Sequence, residues 1–276
     1  MTGDTTRQWN RIKGGSLGLL LTAISIPAAA ECNDRLTSLR VALVSSQSDW
    51  NEFDASGRKL VNESGRLNGE ELSIGLHCSD WDFLALMSQL DGPRVYDGQS
   101  STGVAIISSA VVRQRQSYLQ ASFNVAGTWQ LGGRLSSNTI WRDLASAGGA
   151  SGYPELYRWT TMSLGTQWET VTGRNQFKLA AWFGRPLMST MELTLPGRDQ
   201  ATLKLGSMNQ TEFAAAWRTS ISPSWHLEAE VQYHRTAMGQ GESSVIQSGG
   251  MPVGLAHQPT TVMVDVPVAV RLGYDF

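Results

Sequence analysis

The chain has 276 residues, of which 41 % are hydrophobic and 17 % charged, with 22 basic against 24 acidic side chains and two cysteines. A near-neutral, mildly acidic chain of this kind argues against nucleic acid as the main partner. After the first thirty positions no stretch approaches the roughly 20 consecutive apolar residues of a membrane-spanning helix.

The N-terminal region carries Arg7, Arg11 and Lys13, then the apolar run "SLGLLLTAISI" (Ser16–Ile26) and the small residues "PAAA". This is the three-part pattern of a secretory signal peptide. Residues 1–30 are expected to be removed and residues 31–276 to form one exported domain. The cleavage takes away three basic residues and one acidic residue, so the formal charge of −2 becomes two units more negative. Cys32 and Cys78 remain. An even count in an exported chain is compatible with one disulfide. The two lack the spacing and histidine neighbours of a zinc site, and no metal or cofactor is expected.

Downstream, apolar residues recur at every second position, the period of a strand with one apolar face. Leu72, Ile74 and Leu76 share a face; so do Leu119, Ala121, Phe123 and Val125. "WHLEAEVQYH" sets Trp225, Leu227, Ala229, Val231 and Tyr233 against His226, Glu228, Glu230, Gln232 and His234. Ten strands are expected, near residues 37–53, 68–78, 81–91, 113–126, 128–141, 157–170, 175–195, 201–221, 225–239 and 262–276. The links between them alternate. "CSDW", "AGTW", "VTGRN" and "SPSW" are tight turns, whereas residues 54–66, 92–112, 142–156, 196–200 and 240–261 make up the other set. Alternating links indicate an all-β, antiparallel up-and-down barrel whose two ends face different compartments, with tight turns periplasmic and long loops extracellular. Leu193 and Leu195 facing Leu203 and Leu205 predict that the seventh and eighth strands rise past the membrane as a rigid hairpin.

The strand face opposite the apolar one is unusually charged, as a polar lumen requires. Trp81, Trp129 and Trp225 each directly follow a tight turn, and Phe177 lies near the fourth; at one end of a barrel they would form an interfacial girdle. The final segment "VAVRLGYDF" places Val270, Leu272, Tyr274 and Phe276 at alternate positions and ends on an aromatic residue. In this it resembles the bacterial outer-membrane β-barrel proteins. That resemblance implies an outer-membrane location, a last strand that pairs with the first, and recognition of Leu272, Tyr274 and Phe276 by the barrel assembly machinery. Outer-membrane lipid and lipopolysaccharide are then the surrounding partners.

On the lumen face, Arg40, Arg134, Lys178, Arg218 and Arg271 oppose Glu71, Glu169, Glu212, Glu228, Glu230 and Asp265. A barrel of about ten strands is only slightly wider than the eight-stranded case that its own side chains fill, whereas open porins have roughly 16. These charges are expected to pair across the lumen and occlude it. His226 and His234, eight positions apart on one strand, are about 26 Å apart and cannot share a metal.

The strand number also resembles that of the omptin outer-membrane proteases, whose catalytic groups are an Asp pair and an Asp–His pair at the outer rim. The rim candidates here are Asp91, Asp97, Asp143 and His234, with no motif joining them; Asp80 and Asp82 fall at the opposite end. "GPRVYDG" (Gly92–Gly98) offers Arg94, Tyr96 and Asp97 for a polar ligand or a lipopolysaccharide phosphate, or its glycines and aspartate simply make a turn. GxSxG and HExxH motifs are absent from the sequence. The resulting reading is an outer-membrane barrel that serves as a structural or binding protein through its extracellular loops. A rim-site enzyme and a narrow channel are the alternatives.

Overall fold

The computed structural model describes residues 36–99 and 103–276. The expected signal segment and Cys32, and with it the Cys32–Cys78 bridge, lie outside the described residues. Among the described residues, thirteen strands occur in chain order. The first seven are β1 (Leu36–Phe53), β2 (Lys59–Cys78), β3 (Trp81–Gln99), β4 (Ala105–Ala126), β5 (Trp129–Leu144), β6 (Pro154–Thr172) and β7 (Asn175–Leu193). They are followed by β8 (Ala201–Lys204), β9 (Met208–Ser220), β10 (Trp225–Met238), β11 (Ser244–Ser248), β12 (Met251–Ala256) and β13 (Thr260–Asp275).

Each barrel strand pairs antiparallel with its sequence neighbours, and β13 pairs with β1 from Ser38↔Asp275 to Phe53↔Thr260. That last ladder closes the barrel. β8 and β9 are two parts of one stave. β8 pairs with β7 at Thr190↔Lys204 and β9 at Gly184↔Gln210, six residues on along each strand, so the register is unchanged across the break. The barrel therefore has ten staves, and β11–β12 is a separate hairpin in the β10–β13 connection.

The outer face explains the alternation. Leu43 is 77 % exposed, Leu164 70 % and Phe183 60 %. Large apolar side chains turned outward on every stave make sense only against hydrocarbon. The band starts at a girdle of Trp81, Trp129, Trp225 and Phe177 beside the tight turns, reinforced by edge contacts of Tyr274 with Trp225 and Phe276, each at 5.0 Å between ring centroids. On β10 it runs from Trp225 to Tyr233, about 26 Å of strand, which at a tilt of about 40° rises roughly 20 Å, most of the height of an outer-membrane apolar band. Beyond it polar side chains enter the outward positions: Gln89 and Asp91 on β3, Arg113 and Arg115 on β4, Arg158 on β6. The staves thus continue well past the lipid-facing band at the long-loop end.

This continuation is the main departure from the sequence reading. Residues 59–67, 92–99 and 105–112 are strand, not loop. "GPRVYDG" lies inside β3. Pro93 lacks a ladder donor, and pairing with β2 lapses between Asn68↔Asp91 and Gly65↔Arg94, then resumes as far as Asn62↔Asp97. Gly–Pro here marks a local irregularity in a long strand instead of its end.

Above the band, Leu193, Leu203 and Leu205 are buried together with Met191, Met208 and Met238, and Ile246 of β11 packs into the same cluster. A hairpin of β7 and β8 does rise above the band, with Leu193 opposite Ala201 and Met191 opposite Leu203, and the β11–β12 hairpin rests on it. The Asp199 carboxylate accepts from the Gly249 and Gly250 amides at 3.2 and 2.9 Å, and the Asp199 amide donates to the Gln247 carbonyl at 2.9 Å.

Candidate functional site

Two tiers of charge cross the lumen. The lower tier lies at the level of the lipid-facing band. From β13, Arg271 donates to Glu71 of β2 at 2.6 and 3.2 Å, and to Glu228 and Glu230 of β10 at 2.8 Å each. The Arg40 guanidinium lies 3.6 Å from Glu228, and Lys178 lines the same small cavity. Beside this cluster, Arg134 donates to Glu212 at 2.7 Å and to Gln120 at 3.0 Å. Its guanidinium sits between the rings of Tyr118 and Trp182, 4.2 and 4.3 Å from their centroids. Trp182 reaches this position over Gly165, where a Cβ would stand 2.4 Å from the indole.

The upper tier sits in the part of the barrel beyond the band. Arg142 of β5 is buried and donates to Glu63 at 2.9 Å, Glu52 at 3.1 Å and Glu155 at 2.7 Å. The Trp50 ring lies 4.8 Å from its guanidinium. Tyr157 bonds both Glu155 and Gln258 at 3.1 Å, which ties the tier to the segment just before β13. Arg94, also buried, donates to the Ser48 hydroxyl and stands 4.0 Å from both Glu63 and Asp265. One guanidinium facing three carboxylates cannot fully offset their burial and mutual repulsion. Burial first, and then Glu52 and Glu63, push Glu155 up to about 7 against the pull of Arg142. Burial also raises Glu63. For Arg142, burial acts to lower the pKa, but Glu155, Glu63 and Glu52 outweigh it and hold the group charged.

Between the tiers lies a chamber of about 110 Å³, lined by Ser46, Gln114, Asn138, Trp182, His234 and Asp265 among others. At the tight-turn end, Asp275 accepts from Arg218 and lies 3.1 Å from His226 Nδ1. There His77 and Asp82 are 2.7 Å apart, and Asp82 also accepts from Gln130 at 2.7 Å.

All eleven expected lumen charges lie on inward-facing positions. Glu169 bonds Gln176 and faces Lys178 across the β6–β7 ladder, and Asp265 accepts from Ser48. The rim candidates do not converge. Asp91 points outward and accepts from Arg113 at 2.5 Å. Asp97 and Asp143 share the outward parity of their strands. His234 points inward, 3.5 Å from Glu212, at the chamber. Arg94, Tyr96 and Asp97 do not form one surface either: Arg94 is sealed in the lumen, Tyr96 is half-buried on the same side, and Asp97 faces out.

The sequence alone does not single out Glu52, Glu63, Arg142, Glu155 and Tyr157; Glu63, Arg142 and Glu155 fall in the expected loops 54–66 and 142–156. Parity was the available signal. Glu63 is eight positions before Glu71 and Arg142 eight after Arg134, so each shares a face with a recognised lumen residue.

No protein-family model matches the chain, and no curated protein matches it. Among solved structures it is similar to the outer membrane protease OmpT from Escherichia coli, with a TM-score of 0.58 and 12 % identity over 88 % of this chain and 98 % of that one. The translocator domain of autotransporter NalP from Neisseria meningitidis matches at TM-score 0.44 and 12 % identity, over 87 % and 89 % of the two chains. The fold is that of a bacterial outer-membrane β-barrel. With its continuous apolar band, this barrel belongs in that membrane.

Proposed function

We propose that this barrel is an occluded scaffold that works by binding at its long-loop end, which faces outward from the cell. The observation that carries the reading is the pair of charge tiers. In the upper tier Arg142 of β5 meets Glu52 of β1 and Glu63 of β2 from the opposite side of the barrel; in the lower tier Arg271 gathers Glu71, Glu228 and Glu230 from nearby staves while Arg134 of β5 reaches Glu212 of β9. A diffusion pathway needs continuous water, and two such layers in series interrupt it. Binding at the loop end is supported by β11–β12. Its tip is fixed by Asp199, while Val245, Met251, Val253 and Leu255 remain exposed. Held rigidly in the open, such a surface loses little entropy on docking.

Purified protein in a planar bilayer tests the occluded reading. Little steady conductance is expected, and large, stable, ion-selective openings would overturn it. An epitope tag at Gly249, in the β11–β12 turn, tests the sidedness. Detection on intact cells is expected, and detection only after permeabilisation would reverse the orientation. Deleting residues 243–257 tests the binding role; the barrel should stay folded while cells lose hairpin-dependent capture of extracellular protein.

The protease reading draws on backbone similarity to OmpT, but the Asp and His candidates occupy opposite faces of the wall. Cleavage of fluorogenic peptides, abolished by Asp97→Ala or His234→Ala, would promote it. For Leu272, Tyr274 and Phe276 we retain the sorting role. Removing Phe276 should slow insertion and enlarge the unfolded periplasmic pool, and an unchanged yield of inserted barrel would count against it.

A further inference from the structure

We infer that Arg185 of β7 and Arg235 of β10 form a clamp on the outer wall for a bisphosphorylated disaccharide lipid, the lipid A class. The inference rests on the proposal that the long-loop end faces outward from the cell. Both side chains have outward parity at the top of the apolar band: Arg185 follows Phe183, and Arg235 follows Tyr233. Among the described residues, neither side chain makes a hydrogen bond or an ion pair. Most other outward cations above the band are engaged: Arg113 with Asp91, Arg115 with Gln89, Arg158 with Glu192 and Lys204 with Glu242. Arg66 of β2 is unengaged as well, but it stands alone, three ladders round from β10.

The register sets the two arginines level with each other. Phe183 opposes Thr211, and Thr211 opposes Arg235. Arg185 is two residues beyond Phe183, so the pair is offset by two strands and two residues. That is about 9.6 Å across and about 6.8 Å along, or roughly 12 Å between Cα atoms. Phe183 is eight positions above Asn175, whereas Arg235 is ten above Trp225, so the row climbs toward β10. At a tilt of about 40°, the climb of about 6 Å over two strands offsets the drop of about 5 Å over two residues. Both side chains therefore leave the wall at one depth, directly above the lipid-facing band, where anionic headgroups replace hydrocarbon.

The surroundings fit one occupant. Between the arginines β9 turns Thr211 and the exposed Asn209 outward, a hydroxyl and an amide suited to sugar. Below them Phe183, Phe213 and Tyr233 offer exposed rings to acyl chains, and Phe183 meets Phe213 edge-on at 6.2 Å. On the outward faces of β6, β7, β9 and β10 the nearest carboxylate is Glu192, seven positions above Arg185 and bound to Arg158. Two cations flanking a polar strip match phosphates at the two ends of one disaccharide. A glycerophospholipid brings one phosphate and leaves one arginine idle. The position also gives the lipid a task. No ladder pair joins β7 to the next stave between Gly184↔Gln210 and Thr190↔Lys204, and Arg185 opens that interval. Within it Gly206 leans on the next strand, where a Cβ would lie 2.3 and 2.4 Å from the Gln240 and Gly239 carbonyl oxygens. A headgroup held by Arg185 and Arg235 ties β7 to β10 across β9, at the foot of the interrupted stave.

The test is native mass spectrometry of the folded barrel released from mild detergent supplemented with bisphosphoryl lipid A. One retained lipid is expected on the wild-type chain. Arg185→Gln and Arg235→Gln should each lower retention about tenfold, the loss of one charge-assisted contact. Heat-modifiable migration confirms that each variant is folded. Monophosphoryl lipid A should be held by the wild type only as weakly as the bisphosphoryl form is held by a single variant. Arg158→Gln, whose arginine is already paired, should keep the wild-type level. Bisphosphoryl lipid A should also raise the temperature at which heat-modifiable migration is lost, in the wild type and not in the Arg185→Gln, Arg235→Gln double variant. Equal retention by the wild type and the double variant would overturn the site. So would dioleoylphosphatidylglycerol held by the wild type as well as bisphosphoryl lipid A. An equal thermal shift in the double variant would remove the lipid's role in tying the interrupted stave. These readouts are made in detergent and do not depend on which way the barrel faces. A failed site beside a Gly249 tag detected on intact cells strikes the lipid clamp alone and leaves the orientation standing.

Discussion

At the scale of single residues, the upper tier concentrates the chemistry. Arg142 neutralises part of a cluster that includes Glu52, Glu63 and Glu155. Arg142→Ala would leave three buried carboxylates without their common partner. Breaking a buried pair from one side typically costs about 3–5 kcal/mol. We expect a loss of that order in denaturant unfolding from detergent. The pH dependence has a definite sign. In the folded chain Glu155 titrates at about 7, above its ordinary value of 4.5. The folded state therefore holds a proton that the unfolded state gives up. The stabilisation is complete below about pH 4.5 and is lost as pH rises through about 7. Unfolding midpoints should accordingly fall between pH 5 and pH 8, and Glu155→Gln should flatten that slope. An equally steep slope in the variant would assign the titration to another group.

At the scale of elements, the β10–β13 ladder depends on one small residue. Gly273 of β13 faces His226 of β10, and a Cβ there would lie 2.0 Å from the ring nitrogen. His226 is in turn held beside Arg218 and Asp275. Gly273→Ala should cost about 1–3 kcal/mol by overpacking, read as a lower temperature for loss of heat-modifiable migration, and His226→Ala in the same chain should restore much of it. Elements were also where the sequence was most legible, and the reason is physical. Inside the bilayer one face must be apolar at every second position, so Trp225 to Tyr233 could only be a strand. Above the bilayer that constraint lapses. Asp91, Arg113 and Arg115 are then acceptable outward, and Glu63 and Arg142 inward, so the alternation that marks a strand disappears while the strand continues. Gly92 and Pro93 completed the disguise. The lower charge tier was legible because its residues alternate with lipid-facing neighbours. The upper tier was not, because above the band apolar side chains lie on both faces, Leu67, Val112 and Ile140 inward and Val95, Ile107 and Val111 outward, so no polar face stands out.

At the scale of the whole molecule, the two tiers act in series. The resistance of a pore is dominated by its narrowest segment, so removing one constriction leaves the other in control. Arg271→Ala loosens the lower tier, where Glu71, Glu228 and Glu230 converge on it, but Arg142 still spans the barrel above. Arg142→Ala does the converse. Each single variant should therefore remain nearly silent in a planar bilayer, while the double variant should show steady, cation-selective openings. The selectivity follows from what is left behind: carboxylates at both levels without their shared arginines, a negative lining that attracts cations. The coupling should be strongly non-additive, with conductance in the double variant far above the sum of the singles. A single variant that conducts as well as the double would mean that one tier alone seals the barrel. A silent double variant that is folded by heat-modifiability would move the seal elsewhere, to the residues around Arg134 and Trp182 or to the His226–Arg218–Asp275 cluster at the tight-turn mouth.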